Sequence, residues 1–261
     1  MPRSIKPDQA GLCNIKLASS RQIADYDLRM DDLRPLTERL MLLQDRLDAA
    51  YFRPRYKTVG RLAHGWTKRV SRGVGAILAG VDAGYSGELS PMGRSVVEHV
   101  VALKWLVAEG DRINSPLRTN YGLQISKLGE AWRSASAGSV DEAGLAAAIA
   151  SSEHDDHGRD HFQQFAHRVV HGNEEDLLMY NATLMESHAT YRSAAVYWSK
   201  KDPKPTATEE WVNWESFCPL YLYQGLRAYS GILLAPPWKE ELAAARAALV
   251  AQDPSLDRIL D

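Results

Sequence analysis

The sequence predicts an all-α fold, a single-domain bundle of about seven to nine helices with irregular connections. Three observations carry this expectation. Apolar residues recur at three- and four-residue spacing in segment after segment. Proline and glycine punctuate those segments at their ends. No block of alternating β-branched residues bounded by turn signals appears anywhere.

Residues 1–20 are polar and unpatterned and read as a flexible N-terminal arm; residues 21–261 read as one helical domain. Leu36, Leu40, Leu43 and Leu47 form one stripe of an amphipathic helix, which Pro54 interrupts. A second helix is expected from about Thr58 to Ala83, with Gly60, Gly65, Gly73 and Gly80 weakening it or admitting close neighbours. The segment SPMGRSVVEHVVALKWLVAEGD is the clearest helix in the chain. Ser90 suits the N-cap, Pro91 the first turn and Gly110 the C-terminal stop. Valine and leucine lie on nearly all its sides, the pattern of a helix buried at the centre of a bundle. Helices are also expected after Pro116, through VDEAGLAAAIASS, through the histidine-rich stretch and from Glu174 to Lys200. A final pair runs from about Glu209 to Leu234 and from Trp238 to Ala251, parted by Pro236 and Pro237.

Bulk properties narrow the function classes. A formal net charge of −2 provides no global field to attract nucleic acid or an anionic membrane, though it leaves room for a local basic site. The N-terminus has no continuous apolar region of the signal-peptide kind, and no apolar run reaches the ~18 residues of a membrane span. Two distant cysteines, Cys13 and Cys218, make neither a disulfide framework nor a C-x-x-C motif. A cytoplasmic location with reduced thiols is therefore expected. No P-loop, dinucleotide-binding glycine fingerprint or G-x-S-x-G elbow occurs, which removes three large enzyme classes. The aromatic rows at 180–198 and 211–229 read either as core packing with polar tips or as base-stacking and partner-binding faces.

Five of the eight histidines fall in EHDDHGRDHFQQFAHRVVHGN: His154, His157, His161, His167 and His171. At about 100° per residue they share one side of a helix with Asp160, Gln164 and Arg168, opposite Phe162, Phe165 and Val169. Three readings stay open. The histidines form a solvated polar face; or they hold a metal, with His157, His161 and Asp160 as ligands at the i, i+4 spacing; or they do acid/base chemistry on a phosphodiester. In the last case His171 titrates near neutral pH and Arg168 grips the phosphate, with His167 alongside. The absence of any Glu-x-x-His or H-E-x-x-H motif weakens the metal reading, so no metal and no cofactor is expected.

The apolar helix carries a second polar cluster. Arg94 and Glu98 stand at i, i+4 on one face, either as a structural ion pair or as an anion grip oriented by its carboxylate. His99 is five residues from Arg94 and about 140° around the helix, so the two side chains diverge.

LAGVDAGYSGELSPMGRSVVEHVVALKWLVAEG, followed by FQQFAHRVVHGN, resembles an uncharacterised family of bacterial all-helical proteins. That family has an Arg-x-x-x-Glu helix ending in a Trp-Leu-like sequence, and a later helix ending in histidine. The matching positions are Arg94, Glu98, Trp105, Leu106 and His171, with His167 where the family often has serine. More distantly, RSVVEH resembles the HEPN superfamily, helical bundles that often act as metal-independent endoribonucleases. The resemblance implies a ribonuclease or a degenerate relative, in stress or phage defence, with His171 as acid/base, Arg94 and Arg168 as phosphate grips and Glu98 orienting Arg94. The implied partners are RNA and a second copy of the chain as a homodimer; neither DNA nor a membrane is expected. The alternatives from the residues themselves are a non-catalytic helical binding module and a metalloprotein.

Overall fold

The computed structural model describes residues 33–45, 51–135, 141–150, 171–187 and 212–260. The expected arm at residues 1–20 lies outside them. The fold is an all-α single-domain bundle. Eight α-helices occur among the described residues: α1 Leu33–Asp45, α2 Gly60–Asp82, α3 Ser90–Glu109, α4 Asn114–Ala135, α5 Glu142–Ala150, α6 Glu174–Ser187, α7 Trp214–Ile232 and α8 Lys239–Gln252.

The centre is α3. Val97, Val100, Val101, Leu103 and Leu106 are each fully enclosed, and each such side chain contributes roughly 1.5–3 kcal/mol over the exposed state. Helices α2, α6 and α7 supply the enclosure. Glycines set how closely they approach. A side chain at Gly73 would meet Val96 and one at Gly80 would meet Leu89, so α2 runs antiparallel to α3 at near-backbone contact. Gly93 of α3 faces Trp214 of α7 and Thr183 of α6, while Gly225 of α7 faces Val100 and Leu103. Helix α7 is thus parallel to α3.

Both ends of α3 are defined. The helix starts at Ser90 itself, after a 3-10 turn at Gly87–Leu89; Ser90 is the first helical residue and not the N-cap, because that turn hands its hydrogen bonding straight into the helix. Gly110 stops the helix at a φ of 64°, a conformation glycine adopts without steric cost. Asn213 caps α7 by accepting from the backbone N–H of Glu215 and Ser216. Its aromatic residues Trp214, Phe217, Tyr221 and Tyr229 are buried, so this row is core and not a partner-binding face. Cys218 is also enclosed, and burial pushes its thiol up to about 12, which suppresses thiolate chemistry.

Phe52 and Leu233 form an isolated antiparallel bridge, tying the segment before α2 to the turn after α7. The C-terminal tail breaks at Pro254 into a 3-10 turn and buries Leu260. Helices α4 and α5 pair chiefly with each other. No described helix is long and apolar enough to cross a membrane.

Two predictions follow from this packing. Leu103→Ala should destabilise the protein by about 2–5 kcal/mol in a denaturant titration, because it opens a cavity in a fully enclosed site. His99, whose pKa is lowered mainly by burial, should make stability fall as pH drops below about 6.5, because the unfolded chain then binds more protons than the folded one. In His99→Gln the melting temperature should depend less on pH between about 7 and 5.

Candidate functional site

Arg94 and Lys104 of α3 emerge on the side that meets α6. Arg94 Nε donates to Glu98 Oε1 at 3.2 Å, one helical turn away. The Arg94 guanidinium also lies over the Tyr180 ring of α6, 4.9 Å from its centroid, a cation–π arrangement. Both members of the ion pair keep part of their surface open, 30% and 26% of the side chain. The pair is therefore not sealed in the core.

Further along the same seam, Lys104 Nζ donates to Asp176 Oδ2 at 2.7 Å. Asp176 is fully buried. It sits in the first turn of α6, where Asn173 and Asp176 cap each other: the Asp176 N–H donates to Asn173 Oδ1 at 2.8 Å, and the Asn173 N–H donates to Asp176 Oδ2 at 3.1 Å. This reciprocal pair satisfies two backbone donors that a helix start would leave open. A carboxylate here also faces the positive end of the helix dipole. Asp176 Oδ1 makes no hydrogen bond, although its charge reaches the Tyr221 hydroxyl. Burial first, and that carboxylate second, hold the Tyr221 phenol well above its ordinary range.

His171 stands two residues before this cap. Its ring faces Trp105 of α3 at 6.4 Å between centroids. Gly172, between them, has no room for a side chain, since a Cβ would come within 2.9 Å of Asp176 Oδ2. One turn of α3 thus works twice: Lys104 holds the Asp176 carboxylate, and the adjacent Trp105 meets His171.

The structure brings Arg94 to Glu98 and carries both Arg94 and His171 to the α3–α6 seam. Their contacts occupy successive stretches of it, since α3 rises about 16 Å between residues 94 and 105. His99 points elsewhere: α3 is unbroken, the ring Nδ1 is 2.6 Å from the Ser95 carbonyl oxygen, and the nearby Arg69 charge belongs to α2. His157, Asp160, His161, His167 and Arg168 lie outside the described residues. No group of three or more metal-ligating side chains occurs among the described residues.

Sequence reasoning passed over Lys104 and Asp176. Two signals point to them: a lysine within an apolar helix, and the spacing Asn-x-x-Asp at the start of a helix, a variant of the capping box. Tyr180 was read as one of an aromatic row; its particular place over Arg94 depends on the crossing of α3 and α6. No family model, no curated protein and no solved structure matches the chain.

The two ion pairs should differ in energetic weight. Lys104→Met leaves Asp176 buried without its cation and should cost about 3–5 kcal/mol. A double-mutant cycle on Arg94 and Glu98 should give about 1 kcal/mol or less, because both side chains remain partly hydrated. Chemical denaturation of the single and double variants measures both.

Proposed function

We propose that the protein is a metal-independent ribonuclease of the HEPN-like kind, with the α3–α6 seam as its active site. The observation that carries this reading is the state of Arg94. It is oriented by Glu98, backed by the Tyr180 ring and still partly open to solvent. A guanidinium held in that way can donate hydrogen bonds to a phosphate oxygen.

In this reading Arg94 holds a backbone phosphate of the RNA other than the one that reacts, since its contacts lie about 16 Å along α3 from those of His171. His171 moves the proton, because an imidazole titrates in the range where a 2′-hydroxyl must lose a proton and a leaving oxygen must gain one. Trp105 limits the ring positions open to His171. The Lys104–Asp176–Asn173 network fixes the short segment that carries it. Arg168 and His167 would add a second cation and a second imidazole.

The second reading is a non-catalytic binding module, favoured by the same Arg94 contacts taken as purely structural. The experiment that separates them is RNA cleavage by purified protein in excess EDTA. Cleavage is expected; His171→Ala should reduce it by about two to four orders of magnitude, the usual contribution of a positioned acid/base, and Arg94→Ala should weaken it chiefly through RNA binding. Cleavage that survives both substitutions removes the seam from the mechanism; no cleavage by the intact protein favours the binding module.

A further inference from the structure

The charge of this nearly neutral chain is unevenly placed. Residues 53 to 72 contain seven basic side chains and no acidic one: Arg53, Arg55 and Lys57 precede α2, and Arg61, Lys68, Arg69 and Arg72 lie on it. On a helix, positions 61, 65, 68 and 72 fall within about 60° of one another and rise about 16 Å. All four are exposed, as is Arg69 beside them, while Ala63, Thr67, Val70 and Val74 on the opposite side are buried. At the centre of the stripe stands Gly65, with open space where a side chain would be. No carboxylate pairs with Arg61, Lys68, Arg69 or Arg72 among the described residues.

We propose that this exposed face of α2 is a docking track for the phosphate backbone of a single-stranded nucleic acid, namely RNA, the choice of RNA resting on the function proposed above. Charge complementarity is the argument. Adjacent unpaired cations in a row follow a chain of phosphates, and each contact releases a condensed counterion. The stripe at positions 61, 65, 68 and 72 presents arginine and lysine around a glycine gap; Leu62, 37% exposed at its edge beside Arg69, is a single apolar side chain and not the broad apolar face of a membrane-binding helix. The segment leading into α2 extends the track. Phe52 packs under Gly60, which brings Arg53 and the 75% exposed Tyr51 to the start of the helix, and an exposed aromatic ring there can stack on a base. Near that end Glu109 and Asp111 line a cleft of ≈ 500 Å³ with Arg55 and Arg112. Asp111 is already engaged, accepting from the backbone N–H of Thr58 and Val59. The field of the stripe is felt by neighbouring groups: after burial, Lys68 lowers the pKa of His64, and Arg69 contributes to lowering that of His99.

The test is fluorescence anisotropy of a short labelled single-stranded RNA with the full chain in EDTA, across a salt series. The wild-type protein and Arg61→Glu/Lys68→Glu/Arg72→Glu are compared, with Lys239→Glu on α8 as the control. The triple variant is expected to bind at least about tenfold more weakly near 0.1 M salt and the control to bind like the wild type. The neutral variant Arg61→Gln/Lys68→Gln/Arg72→Gln, which introduces no new charge, should lower the slope of log K against log salt by about 2, roughly 0.7 for each lost contact. It also serves if the reversed triple fails to fold. Equal binding by wild type and neutral triple overturns the proposal. So does a wild-type protein that binds no RNA, or one that binds only phosphatidylserine vesicles. Equally tight binding of single-stranded DNA keeps the track and removes the choice of RNA. RNA bound through the stripe but left uncut keeps the track and ends the ribonuclease reading. RNA cut by a protein whose triple variant still binds normally does the reverse.

Discussion

The enclosure of α3 is the constraint on which the rest of the architecture depends. A helix with valine and leucine on most of its circumference has no stable place except the middle of other helices. Once α2, α6 and α7 surround it, every polar side chain that it carries must find a partner on a neighbour or leave through a gap between two of them. Arg94 and Lys104 find such partners, and Glu98 pairs with Arg94 on α3 itself. Their side chains run along the seam with α6, and that helix supplies Tyr180 and Asp176 as partners. The polar seam is thus a consequence of the apolar core and not an addition to it.

Within the seam the two ion pairs have different physical roles. Lys104–Asp176 joins a fully buried carboxylate to a mostly buried ammonium, so either partner alone would be left in a medium that solvates it poorly. Such a pair specifies which residue of α6 lies against which turn of α3. Arg94–Glu98 lies within one helix and keeps contact with water. It contributes little to register. One pair locates the segment bearing His171, and the other stays within α3 at its partly hydrated edge.

The overall charge of −2 gives no long-range attraction for a polyanion, so any recognition of one must come from local clustering. The exposed face of α2 provides such a cluster, while the cations of the seam, Arg94 and Lys104, are each matched by a carboxylate. Gly73 and Gly80 let α2 lie close against α3.

How much of this was legible in the sequence follows from what is local and what is not. Periodicity and composition by themselves determined the all-α class, the central position of α3, the i, i+4 pairing of Arg94 with Glu98 and the divergence of His99, because each depends only on the 3.6-residue repeat of one segment. Gly110 was readable as a stop for the same reason. The start of α3 at Ser90 was decided by the 3-10 turn just before it; the core role of the α7 aromatics and the bridge of Phe52 to Leu233 were decided by neighbours distant in the chain. So were the partners of the seam. That Lys104 meets Asp176, that Tyr180 lies under Arg94 and that Trp105 meets His171 depend on the antiparallel crossing of α3 and α6, whose residues are some seventy to ninety positions apart in sequence. Helix geometry is fixed by hydrogen bonds within a few residues, but the choice of facing helix is fixed by packing of whole surfaces, and only the tertiary structure makes that choice.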